Sequence, residues 1–521
     1  MSFFNSVINK ISDLPVTTAP SPSQPQVAAV LDDFSILCFA ADANLWLIDP
    51  QQFSLDIERI RPDFLLVESA WHGNAGKWRY MVNSGSGPQW PLIKLVETCK
   101  QQGIPTVFWN KEDPPHFQEY LPTAKLFDYV FTSDGDMIPR YREAVNAKGV
   151  DLLRFAANPT IHNPSRVEGY RRGDIAFAGQ YFADKFPERR QQMENLFEPA
   201  TRYEFAIYSR GLGGKSIYQF PPKWDKYVVG SLPYDQMVKA YRQHKIFLNV
   251  NSVTTSSTMC ARRVFELSAA KTSVVGMDSP AVRSVYSDSQ ILLAEDPAEV
   301  RQIYRTLLEG GGSGVSYRAT TQAAWRHTLS HHTYYHRLKQ ISEMIGQGAR
   351  EKACDIYIVS RGDTSNTRRL LSDVERQAFT FTAPVRLSFI DGEDSGRSRV
   401  ISQKGWSESA SFESERYLAF MPDGYRFGRF YLNDLVLAAQ QQNAQLVAKH
   451  LGAEAVAPEE TWTENIPLYG WLAYLGVEPI TSDLVAQARS GALAGQQRIY
   501  ISDPVGIDSL DSRSVSPLLD V

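Results

Sequence analysis

Short apolar runs alternate with longer amphipathic stretches along most of the chain. SILCFA (35–40), DFLLVES (63–69), IPTVFWN (104–110), YVFTS (129–133) and DLLRFAA (151–157) read as strands. PLIKLVETCKQQG (91–103) reads as a helix closed by its glycine. This alternation predicts a parallel, doubly wound sheet. A second series has the strands DIAFAGQYF (174–182), YEFAIYS (203–209), IFLNVNS (246–252), TSVVGM (272–277) and ILLAED (291–296). Its helices are YDQMVKAYRQHK (234–245), MCARRVFELSAAK (259–271) and PAEVRQIYRTLLEG (297–310). GGGSG (310–314) reads as a loop, and 316–349 as one long helical segment folding back across the domain junction.

A third series opens at DIYIVSRGD (355–363) and continues through VRLSFIDGED (385–394), YLAFMPDGY (417–425) and the helix YLNDLVLAAQQQNA (431–444). Periodicity weakens over 455–521. Ahead of all this, residues 1–11 suit a short amphipathic helix, and LPVTTAPSPSQPQV (14–27) reads as a linker. The expected division is therefore 1–29 for helix and linker, then domains over 30–165, 166–349 and 350–521.

Composition narrows the class. A chain of 521 residues is too long for one core. With 43% hydrophobic and 21% charged residues it fits a soluble globular protein. A net charge of −4 with mixed signs gives no reason to expect nucleic acid. The four cysteines, Cys38, Cys99, Cys260 and Cys354, show neither a disulfide framework nor zinc spacing, which suits a reducing compartment. No signal-peptide pattern and no run of about 18 apolar residues is present, so a cytoplasmic protein without a membrane span or metal site is expected.

Two tandem doubly wound domains form a cleft, and ligands sit at the carboxyl ends of parallel strands. ESAWHGNAGKWRY (68–80) places Glu68, Trp71 and His72 after a strand, where indole faces suit sugar rings. FWNKEDPPHF (108–117) brings Trp109, Asn110, Lys111, Glu112, Asp113 and His116, with groups for an acceptor base or for a departing phosphate. FAGQYFADKFPERR (177–190) offers Gly179 for close approach of a phosphate, with Lys185, Arg189 and Arg190 for its charge. The loop and helix of 249–276 add Asn251, Ser252, Thr258, Arg262, Arg263 and Glu266.

ESAWHGNAGKW, IPTVFWNKEDPPHF, AKLFDYVFTSD, FAANPTIHNP, FAGQYFADKFPERR, KIFLNVNSV and RRVFELSAAKTSVVG together resemble the CgeB-like glycosyltransferases, relatives of the GT-B enzymes, over about residues 30–345. The resemblance implies an α/β protein of GT-B architecture, with two Rossmann-like domains and a UDP- or GDP-type sugar donor. It further implies metal-independent chemistry and no required cofactor. It puts the ribose on Glu266, while the residue types themselves place the diphosphate on Gly179, Lys185, Arg189, Asn251, Ser252, Thr258, Arg262 and Arg263, and the acceptor against Trp71, His72, Trp109, Asn110 and Lys111. Glu112, Asp113, His116 and Glu68 are then the candidates for the base. Retaining relatives carry a second glutamate where this chain has Thr258, which leaves the stereochemistry open. DIYIVSRGDTSNTRRLLSDVERQAFT, SFIDGED and ERYLAFMPDGYRFGRFYLNDLVLA resemble a GT-A glycosyltransferase that keeps only Asp423 of its metal-binding aspartates. A role in acceptor docking or oligomerisation is expected of that third α/β domain. A non-catalytic carbohydrate- or nucleotide-binding assembly protein is the alternative reading.

Overall fold

The computed structural model describes residues 24–83, 85–309, 315–348, 353–360, 367–381, 383–390, 398–404, 414–422, 425–449, 461–463, 471–476, 484, 486–488, 499–502 and 507–509. The proposed helix of 1–11, most of the linker after it, the 310–314 loop and Asp423 lie outside them.

The first sheet contains β1 (Gln26–Val30), β2 (Asn44–Leu47), β3 (Phe64–Glu68), β4 (Thr106–Asn110), β5 (Tyr129–Thr132) and β6 (Gly149–Leu152). Their order is β2-β1-β3-β4-β5-β6, parallel throughout. Strands such as FLLVE and TVFWN are buried at every position, as central parallel strands covered on both faces must be. Two expectations fail at the start of this sheet. SILCF belongs to the helix Asp33–Phe39, and β1 begins inside the segment read as linker. A seven-residue helix buried on nearly every side shows no period that separates it from a buried strand.

The second sheet contains β7 (Gly173–Gly179), β8 (Phe205–Ser209), β9 (Val228–Gly230), β10 (His244–Asn249), β11 (Ser273–Met277) and β12 (Leu292–Ala294). It is parallel in the order β12-β11-β10-β7-β8-β9. The two tandem Rossmann-like sheets give the GT-B architecture. The long helical segment is broken into Val315–His331 and Tyr334–Met344, with Thr333 at the N-cap of the second. Tyr334, Leu338 and Ile341 of that second helix pack with Ile36, Phe39, Trp109 and Phe131 in the core of the first unit, so the chain does cross back.

The third sheet runs β15-β14-β13-β16-β20-β18-β21-β19, from β13 (Ala353–Val359), β14 (Val385–Ile390), β15 (Ser398–Lys404), β16 (Ser414–Phe420), β18 (Leu446–Lys449), β19 (Thr461–Thr463), β20 (Trp471–Gly476) and β21 (Ile499–Ser502). It is mixed: β14, β13 and β16 are mutually parallel, and β15 and β20 run against them. The remaining strands, β17 (Tyr425–Phe427) and β22 (Ile507–Ser509), pair with each other. Phe265, Leu267 and Trp325 of the second unit share one core with Leu432, Leu435 and Val436 on the helix Tyr431–Gln442. At that joint the buried Asp434 binds Arg326 in bidentate fashion (2.7 and 2.8 Å), with Lys449 Nζ at 3.1 Å. No helix among the described residues is long and apolar enough to cross a membrane.

Candidate functional site

In an open α/β sheet a ligand sits where strand order reverses, beyond the carboxyl ends of the flanking strands. The first sheet reverses between β1 and β3. Asp32 and Glu68 stand at those two ends, and Lys111 Nζ bridges them at 2.8 and 2.9 Å. Glu68 is fully buried and also accepts from the Asp32 N–H and from Ser35 Oγ. Burial holds its carboxyl above the usual range, against the pull of Lys111. Neither Glu68 nor Lys111 is therefore presented to a substrate as the sequence suggested: they form an internal ion cluster. Asp32 and Asp33 in turn accept from the N–H groups of Gly73 and Ala75, which fastens the loop carrying Trp71 and His72. Gly73 has φ +36°, and a Cβ there would meet Trp78 Cβ at 2.9 Å.

Three residues at the end of β4 and in the loop after it also turn inward. Trp109 is buried, donates to the Leu153 carbonyl, and packs against Phe39 and Phe155. Asp113 is buried and accepts from Asn110 Nδ2 (2.8 Å), Thr132 Oγ1 (2.6 Å) and Tyr141 Oη (3.0 Å). Asn110 and Asp113 thus tie β4 to β5 from within, and neither can reach an acceptor. Burial pushes the Asp113 carboxyl up to about 7, although the Thr132 and Tyr141 hydroxyls oppose the shift. Since its folded pKa is raised, the acid favours folding below about pH 4 and loses that advantage as pH climbs toward 7. Comparing urea stabilities of the wild type and Asp113→Asn from pH 4 to pH 8 should show the wild type gaining on the variant as pH falls. Glu112 and His116 keep partial exposure, and His116 meets Glu119 at 2.8 Å and lies edge-on to Trp71. His72 is exposed beside Tyr80.

The second sheet reverses between β7 and β10, and arginines gather there. Arg189, 8% exposed, donates to the Val250 carbonyl (2.8 Å) and to Ser252 Oγ (3.3 Å). A Cβ at Gly179 would meet the Phe177 ring at 2.8 Å and the Arg189 guanidinium at 3.2 Å, so a larger residue there would have to displace one or both. Arg210, just past β8, bonds through its N–H to the Gly179 carbonyl, and Arg263 opens the helix Arg263–Ala269. Burial, then Arg263 and Arg210, bring the Arg189 guanidinium down to about 9. Desolvation and the charges of Arg262 and Arg263 also lower Arg210, which Glu112 of the first unit opposes. Among the described residues, three buried polar atoms of these groups have no hydrogen-bond partner: Arg189 Nε, Arg263 Nε and Ser209 Oγ. Lys185 is exposed over Phe182 and Phe186, outside this cluster, and Arg190 is spent on the Phe182 and Lys185 carbonyls. Asn251 is held through its backbone and side chain by Gln192 and Asn249, which makes it a support.

Glu266 departs from its expected place. It is fully buried, and its two oxygens accept from Tyr234 Oη (2.8 Å) and Tyr241 Oη (2.9 Å). His162 Nδ1 accepts from the Asn158 N–H, so its Nε2 donates to Tyr234 (2.7 Å), and burial brings the ring down to about 4, keeping it neutral. Arg262 approaches Glu266 at 3.5 Å and lies 3.7 Å over the ring of Phe34 from the first unit. Burial alone would raise the Glu266 carboxyl, but Arg262, His162 and the tyrosine hydroxyls hold it below the usual range. This carboxylate is an inter-unit anchor, and a ribose could meet it only after Tyr234 moved.

The Ser/Thr loop is likewise engaged. Ser256 Oγ donates to Asp134 (2.9 Å), Ser257 Oγ to Asp136 (2.6 Å), and Thr258 Oγ1 accepts from the Gly135 N–H (2.7 Å). Thr258 thus contacts the first unit and is not open to a phosphate.

Residues 189–343 match the glycosyl transferase-like family. The matched stretch starts at Arg189 and contains Arg210, Arg262, Arg263, Glu266 and most of the returning helix Tyr334–Met344. No curated protein matches the chain. Among solved structures it is similar to Anabaena HepE in complex with UDP-glucose, at 9% identity and a TM-score of 0.41, covering 64% of this chain and 98% of that one. It is also similar to sucrose-phosphate synthase of Thermosynechococcus elongatus, at 10% identity and a TM-score of 0.39, covering 57% and 76%. The sequence reading missed Asp32, Phe34, Arg210, Tyr234 and His162. Arg210 had the same signal as its neighbours, a cation directly after a strand.

Proposed function

We propose that the protein is a glycosyltransferase that moves a sugar from a nucleoside-diphosphate donor to a hydroxyl acceptor between the two Rossmann-like units. The observation that carries this is the group of Arg189, Arg210 and Arg263 around Gly179 at the β7/β10 switch point. Burial and the neighbouring guanidinium charges lower Arg189 and Arg210, and the buried Nε atoms of Arg189 and Arg263 have no partner among the described residues, an arrangement suited to a diphosphate. UDP or GDP fits that chemistry equally. The leaving diphosphate would develop its charge against these guanidinium groups without reorganisation. Glu112 and His116 are the remaining groups able to take an acceptor proton if transfer inverts the sugar. The third α/β unit, a GT-A relative on this reading, supports the second unit through their common core. The buried free thiols Cys38, Cys99, Cys260 and Cys354 suit a cytoplasmic setting.

Calorimetric titration with UDP, GDP and their sugars provides the test. One nucleotide should bind, and Arg263→Ala should weaken it at least tenfold, about 1.4 kcal/mol, without loss of fold. Absence of binding by every nucleotide at millimolar concentration would remove the transferase reading and leave the assembly-protein alternative.

A further inference from the structure

Cationic and imidazole side chains gather where the helix Val315–His331 gives way to Tyr334–Met344: Arg154, Arg337, His327, His331 and His332. The rings of His331 and His332 lie 5.2 and 5.1 Å from that of His327. Arg337 donates through Nη2 to His332 Nδ1 (3.0 Å) and through Nε to the Arg154 carbonyl (2.7 Å). An arginine can only donate, so the ring proton of His332 rests on Nε2. Arg154 follows β6 of the first unit and reaches across to Ser284 Oγ of the second at 3.3 Å.

This group lacks counter-charge. Arg283, beside Ser284 in the chain, is neutralised by Asp278 and Asp288. Arg154, Arg337, His327 and His332 pair with no carboxylate among the described residues; the two arginines are answered by carbonyls, one hydroxyl and one imidazole. Arg337 is spent on those bonds. Arg154 is not: its Nε is buried without a partner among the described residues, and its bond to Ser284 is long. Ser284 is exposed and Arg154 half-buried, so the pair stands at the surface of the joint.

Cations held together out of water without a counter-charge cost free energy, which a bound anion would offset. The planar guanidinium of Arg154 can meet two oxygens of such an anion at once. The Ser284 hydroxyl and the His332 Nε2–H add two further donors. That set suits a phosphate, with its three or more acceptor oxygens, better than a carboxylate. We propose that Arg154, Ser284 and His332 form a phosphate site, for the free dianion or a monoester, that ties the first unit to the second. Arg189, Arg210 and Arg263 take no part in it, so the site stands or falls apart from the transferase reading.

Calorimetric titration of the full chain with inorganic phosphate and with glucose 6-phosphate tests it, with acetate as the carboxylate control. At least one of the phosphates should bind, and acetate should bind at least about tenfold more weakly. Arg154→Gln should weaken the phosphate by about tenfold, and Ser284→Ala, a change at an exposed position, by about threefold. Each variant loses a single side-chain bond, so circular dichroism and melting without phosphate should match the wild type. Tighter binding of the ester would mark a sugar phosphate as the ligand, and tighter binding of the free ion would mark phosphate itself; either upholds the site. No binding at millimolar concentration, or an affinity unchanged in Arg154→Gln, would overturn the proposal. Binding lost in Arg263→Ala but kept in Arg154→Gln would put the phosphate on the donor arginines, overturning this site and leaving the transferase reading intact.

Discussion

Asp434→Ala is expected to cost about 3–5 kcal/mol of folding stability, which would lower the melting temperature by roughly 10 °C. Asp434 is 1% exposed and collects two bonds from Arg326, one from Gln322 (2.9 Å), one from Asn433 (3.1 Å) and one from Lys449 (3.1 Å). Removing it takes the shared carboxylate from two buried cations, and that outweighs the small area lost. Lys223→Ala serves as the control, because its pair with Glu194 is largely exposed and should be worth under about 1 kcal/mol. Urea unfolding followed by fluorescence would check both. A loss below about 1 kcal/mol for Asp434→Ala would show that the joint relaxes around the vacancy. Since the second unit and the third share one core, their unfolding should shift together.

Glu266→Ala is expected to be nearly as damaging, at about 3–4 kcal/mol, because the Tyr234 and Tyr241 hydroxyls would each lose their acceptor inside the protein and Arg262 would lose a carboxylate. The folded pKa of Glu266 is depressed, so its contribution is present above the ordinary glutamate value near 4 and is lost as pH falls through the lower folded value. The gap between wild type and variant should therefore hold from pH 8 to pH 5 and close only at more acid pH. A thermal scan series across that range would measure it. An effect on nucleotide binding by Glu266→Ala would then report lost structure, and for that reason Arg263→Ala is the cleaner probe of the proposed donor site.

Strands that are buried at every position and largely apolar, such as FLLVE and TVFWN, are legible from sequence because such runs suit a central parallel strand. The same logic failed for SILCF, where a short buried helix imitates a strand, and it carried Asp32 and Phe34 out of view. The four-residue β2 and the three-residue β9 are too short to show a period. For the site, position relative to a strand end was informative for Gly179, Arg189, Arg262 and Arg263, whose sequence neighbours already place them at the sheet edge. Which polar groups turn inward was not legible. Asp113 is sealed by Thr132 and Tyr141, and Glu68 by Ser35 and Lys111, partners 19 to 43 positions away whose approach depends on the finished fold.

The break between the helices Val315–His331 and Tyr334–Met344 falls where the chain leaves one core for another. Trp325 and Leu329 lie in the core shared with the third unit, and Tyr334 lies in the core of the first. The three units therefore hold together in two different ways: the second and third share one continuous core, whereas the first is joined to the second by a helix that leaves that core at His332 and Thr333 and completes another.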